Sequence, residues 1–119
     1  MKYINILGTL YTFEFKNYDE CEEFKKYSWA GYCEEYKKNI VIGRIKTFPD
    51  MKNESDENCE EIEKRNLRHE IIHAFFNESG LSDNSFEFTG AWAKNEEMVD
   101  WLAIQSPKIF KVFEDLNIL

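Results

Sequence analysis

Asn66-Leu67-Arg68-His69-Glu70-Ile71-Ile72-His73-Ala74-Phe75-Phe76 is the stretch around which the rest of the chain must be arranged. Ile62, Leu67, Ile71, Ala74 and Phe75 recur at helical spacing, and Gly80 after Ser79 is a natural left-handed stop. The pattern predicts a helix from about Glu57 to Glu78. The chain has 2 histidines, and both lie on this helix. Four residues make one turn, a rise of roughly 6 Å, so the imidazoles of His69 and His73 share a face and can converge on one metal ion. Glu70 points about 100° further round the axis, off the ligand face but within reach of a water held there.

C-terminal to this helix, Gly80, Asp83, Asn84 and Gly90 mark a loop. From Lys94 to Gln105, Met98, Trp101, Leu102 and Ile104 form an apolar arc that predicts a second long helix. Ser106-Pro107 reads as a cap with proline in first position, opening a terminal helix packed through Ile109, Phe110, Phe113 and Leu116.

N-terminal to it, Tyr3 to Leu7 and Leu10 to Phe15 predict a hairpin turning at Gly8-Thr9. Asp19 is placed to cap a short helix through Tyr27, with Phe24 and Tyr27 facing inward. Strands follow from Trp29 to Cys33 and from Asn39 to Ile45, reversing over Glu34 to Lys38. Ile40-Val41-Ile42 is the clearest strand, expected at the sheet edge beside the histidine helix, where an extended peptide could add to it; an interior position paired on both sides is the alternative. Thr47 to Asn58, with Pro49, Asn53 and Ser55, reads as an exposed loop. The expected fold class is α+β, a small antiparallel or mixed sheet packed on an active-site helix, in one domain over residues 1–119.

Composition narrows the function. The 119 residues carry a net charge of −8, which repels phosphate backbones and anionic lipid surfaces. Neither nucleic acid nor membrane is an expected partner. No apolar run approaches a membrane span or a secretory leader, so the cytoplasm is the expected location. Cys21, Cys33 and Cys59 are odd in number and lack CxxC spacing, against both a disulfide framework and a thiolate zinc site.

The histidine pair with its intervening glutamate fits metal-assisted hydrolysis. Zinc accepts neutral imidazole, and an open zinc site lowers the pKa of bound water to about 7. A neighbouring carboxylate then takes the proton as water attacks a carbonyl. The apolar neighbours of the histidines predict a partly buried turn, where an unpaired imidazole pair would be costly and a metal would relieve the cost. A catalytic site needs a third protein ligand, and no third histidine exists. The downstream helix offers Asn95-Glu96-Glu97-Met98-Val99-Asp100-Trp101-Leu102-Ala103.

His69-Glu70-Ile71-Ile72-His73 followed by an N-E-x-x-x-D helix resembles the gluzincin metallopeptidases. The Gly31-Tyr32-Cys33 segment and the Glu96-x-x-x-Asp100-x-Leu102-Ala103 pattern look like the small phage-encoded and ImmA/IrrE-type members. The resemblance spans about Gly31 to Ala103 and is sharpest at the two motifs. It implies a zinc ion held by His69, His73 and Glu96, with Glu70 as general base, Asp100 orienting a ligand histidine, and a peptide or protein as substrate. A register shift of one residue would make Glu97 the ligand. Larger gluzincins use a further histidine to stabilise the oxyanion, which this chain lacks; Tyr32, Tyr36, Arg44 or the metal alone would serve. Trp92 and Trp101 read as core aromatics rather than cleft walls. The rival from another class is a regulatory or protein-binding module that keeps zinc with little turnover.

Overall fold

A computed structural model describes residues 2–81 and 96–119, except the side chains of residues 96, 99, 100 and 103. The fold is α+β. Strand β1 (Lys2–Ile6) turns into β2 (Thr9–Lys16), followed by the short helix α1 (Glu22–Tyr27), strands β3 (Gly31–Glu34) and β4 (Asn39–Gly43), the long helix α2 (Asp56–Glu78) and the helix α3 (Glu96–Asp115). The strands form one mixed sheet in the order β1-β2-β4-β3. β1 runs antiparallel to β2, β4 parallel to β2, and β3 antiparallel to β4.

Alternation along the strands gives the sheet two apolar faces. Ile4, Ile6, Tyr11, Phe13, Ile40 and Ile42 meet Leu67, Ile71, Ala74 and Phe75 of α2 and Ile109 and Phe113 of α3. On the other face, Val41 packs with Cys21, Phe24, Tyr32 and Phe48. Ile40-Val41-Ile42 is therefore apolar on consecutive residues because both faces are covered. This corrects the expected edge position: β4 is interior, and β3 is the edge strand on that side of the sheet.

Three local expectations shift. The hairpin turns on Leu7-Gly8, both with positive φ, and Gly8 donates its N–H to Asn5 Oδ1 at 2.7 Å. Two positive φ values define a type I′ turn, whose twist matches the strands. Asp19 lies in a 3-10 turn, so α1 starts after Cys21, and Tyr27 is exposed and stacks on Trp29 with ring centroids 4.5 Å apart. The break expected at Ser106-Pro107 is absent, for α3 runs through Pro107. Proline removes one backbone hydrogen bond, but Trp101, Ile109, Phe113 and Leu116 stay in phase along a single stripe, and that packing carries the helix across it.

Helix α2 starts where Ser55 accepts the Asn58 N–H at 3.2 Å and stops where Gly80 takes a φ of 79°. Its last residue, Glu78, anchors it to the sheet. Glu78 Oε1 accepts from Lys38 Nζ at 2.5 Å and Tyr11 Oη at 2.9 Å, and Oε2 from Thr9 Oγ1 at 3.2 Å. Among the described residues, no helix is long and apolar enough to cross a membrane.

Candidate active site

The core stripe of α2, Leu67-Ile71-Ala74, lies about 100–160° round the axis from His69 and His73. Both rings consequently face outward and are exposed, while Glu70, Ile71, Ala74 and Phe75 on the same turns are buried, so the turn is partly buried as expected. Their Nε2 atoms stand 3.1 Å apart, with ring centroids at 4.8 Å. Partial desolvation, then the neighbouring His69, hold His73 below its ordinary pKa.

The buried member is Glu70, 8% exposed on the flank between the histidines and the sheet. Desolvation alone raises its carboxyl from 4.5 to about 7. An acid near 7 can both accept and return a proton at neutral pH.

Glu70 and Phe76 lie three residues either side of His73, which places them about 60° to its left and right. On the Glu70 side runs β3. Gly31, Cys33 and Trp29 join His69, Glu70, His73 and Asn77 around an open cleft of about 400 Å³. On the Phe76 side, Trp101 of α3 packs on Phe76 with centroids 4.8 Å apart and donates its indole N–H to Ser79 Oγ at 2.9 Å. The histidine pair thus sits between an edge strand and α3. Trp101 is a packing residue, as expected, and Trp92 lies outside the described residues.

Glu96 is the first residue of α3 and Asp100 stands one turn further on; their side chains lie outside the described residues. Glu97, the alternative ligand, is exposed. Among the described residues no third metal-ligating side chain joins the two histidines.

Of the three groups considered for the oxyanion, none points a side chain into the cleft. Tyr32 borders it, but strand alternation turns the ring to the opposite sheet face, where its hydroxyl lies 3.8 Å from Cys21 Sγ. Tyr36 is 92% exposed in the β3–β4 turn. Arg44 pairs with Glu63 at 3.0 Å and covers the Phe15 ring. Cys33 lines the cleft, yet burial, then the Glu70 charge, push its thiol up to about 12, which leaves it protonated and a poor ligand.

Trp29, Glu35 and Asn77 also line the cleft and were not singled out by sequence, whereas Gly31 and Cys33 belong to a segment on which the resemblance rests. Arg65 and Asn66 were also passed over. They adjoin His69 and Glu70 in a smaller cleft, and Arg65, four residues before His69, was readable as sharing its face. Comparison with protein-family models, curated proteins and solved structures finds no match to this chain.

Proposed function

We propose that this chain is a zinc-dependent peptidase of the minimal gluzincin kind, with His69, His73 and Glu96 holding the metal and Glu70 serving as general base. The observation that carries the reading is the 3.1 Å separation of the histidine Nε2 atoms beside a buried Glu70 that has no ion-pair partner among the described residues. Two nitrogens bound tetrahedrally to one zinc at roughly 2.0–2.1 Å stand roughly 3.3 Å apart, so the pair fits such an ion with little movement. The position of α3 on the free flank of the pair is where a carboxylate from its first turns would be useful, and Asp100 one turn beyond Glu96 would orient a histidine.

A zinc ion held there supplies a Lewis acid that polarises a carbonyl and lowers the pKa of water to about 7. Glu70 takes the proton of the attacking water on its carboxylate, and as the C–N bond breaks it returns that proton to the leaving amine. Strand β3 positions the peptide. Gly43 donates its N–H to the Ala30 carbonyl at 2.9 Å, so alternation turns the N–H and C=O groups of Gly31 and Cys33 to the open edge. An extended substrate adds there as a further strand without a required sequence. The cytoplasm, where the free Cys21, Cys33 and Cys59 stay reduced, is part of the same reading.

Metal analysis with a peptide-library digest tests it. One zinc per chain is expected, lost in the His69→Ala, His73→Ala double variant, while Glu70→Gln keeps the metal and loses hydrolysis. Full zinc loading of the double variant, or unchanged turnover by Glu70→Gln, would overturn it.

A further inference from the structure

A second cleft of about 270 Å³ opens on the other side of Glu70, and Trp29, Gly31, His69 and Glu70 belong to both. The proposed base thus borders both spaces. What the second one adds is Arg65 and Asn66 from the preceding turn of α2.

Arg65 differs from the chain's other arginines, Arg44 and Arg68, although Lys52 and Lys108 are likewise unpaired among the described residues. The protein has 23 acidic against 15 basic residues, and Lys38, Arg44, Lys46, Lys64 and Lys111 are each paired with a carboxylate. Arg68, three residues on, is committed to the Ile118 carbonyl. Among the described residues Arg65 forms no ion pair or hydrogen bond. It leaves a planar, permanently charged donor fork at the border of the cleft, with the Asn66 amide beside it. Within a peptide, the group that matches this fork is a carboxylate, held by two parallel N–H···O bonds.

We propose that Arg65 and Asn66 receive a peptide carboxylate, so that substrates are selected for an acidic group close to the bond at His69 and His73; this rests on the peptidase reading above. The spacing sets how close. Arg65 to His69 is one helical turn, roughly 6 Å, and an extended peptide advances roughly 3.3 Å per residue. The carboxylate therefore belongs one or two residues from the scissile carbonyl. A chain terminus and an Asp or Glu side chain offer the same chemistry.

Calorimetric titration of the zinc-supplemented Glu70→Gln protein, which leaves probes intact, separates the two sources. One probe pair is N-acetyl-Ala-Ala-Phe as free acid and as C-terminal amide; the other is N-acetyl-Ala-Asp-Ala-amide and its Asn counterpart. At least one acid should bind about ten-fold more tightly than its neutral partner, and which pair shows the difference identifies the source. Adding Arg65→Gln should erase the preference with an unchanged urea midpoint, since Arg65 is exposed, whereas Arg65→Lys should keep part of it. Equal affinities within both pairs, no binding of any probe, or a preference that survives Arg65→Gln would overturn the proposal. Binding is read without turnover, so a wild-type protein that prefers the acids but cleaves nothing would sink the peptidase reading alone.

Discussion

Gly31 on the edge strand and Glu70 on α2 approach so closely that a Cβ added to the glycine would stand 3.7 Å from Glu70 Cγ, and only 3.1 Å from Ile42 Cδ1 and the Val41 carbonyl oxygen. The tight contacts are to the neighbouring strand β4 rather than to the helix. A methyl at this position meets Glu70 at ordinary contact distance but crowds the interior strand, where the backbone carbonyl cannot give way. Gly31→Ala should lower stability by about 1–2 kcal/mol in urea unfolding. A variant as stable as wild type would mean that the sheet relaxes freely there.

Burial of Glu70 has a consequence for pH. Its carboxyl is raised from 4.5 to about 7 in the folded, metal-free protein, so the folded state holds a proton that the unfolded chain releases. The sign follows: the contribution is fully present below pH 4.5 and is lost as pH rises through 7. Relative to Glu70→Gln, the chelator-treated wild type should lose on the order of 3 kcal/mol across that window. Parallel urea midpoints for the two proteins from pH 4.5 to 8 would show that Glu70 titrates normally.

The Glu78 cluster behaves in the opposite sense. Burial raises its pKa, but the hydrogen bonds from Lys38, Tyr11 and Thr9 outweigh it and hold it below the ordinary carboxylate value. Its stabilisation is present at neutral pH and lost on acidification. Glu78→Ala should cost about 2 kcal/mol at pH 7, discounted for the partly exposed Lys38, and less at pH 3. A pH-independent loss would assign the effect to packing.

Proline substitution distinguishes the two strands beside the cleft. Val41 belongs to β4, bonded on both sides, so Val41→Pro should abolish cooperative unfolding. The Cys33 N–H faces the open edge of β3, so Cys33→Pro should fold while weakening peptide binding several-fold. Circular dichroism and peptide titration check both. An unfolded Cys33→Pro protein alongside a folded Val41→Pro one would reverse the assignment.

Local signals carried much of this. The helix expected from Glu57 to Glu78 is Asp56–Glu78, because its apolar period, the Ser55 cap and Gly80 all act within a turn or two of chain. The β3–β4 reversal over Glu34 to Lys38 is likewise where the charged segment put it. The edge expectation for Ile40-Val41-Ile42 failed because pairing of β4 with β2 joins residues far apart in sequence; the unbroken apolar run was the available sign of a strand covered on both faces. Ser106-Pro107 carries a strong local stop, yet the apolar stripe of α3 packs across it.

By itself the sequence determined the helix and the one-turn spacing that sets His69 and His73 on a common face, since both follow from the α-helical repeat. Only the tertiary structure decided the rest of the cleft. It put β3 at the edge, turned the Tyr32 ring away, left the histidine rings open and buried Glu70 beneath a glycine, because burial and strand order depend on which distant surfaces meet, and helical periodicity says nothing of that.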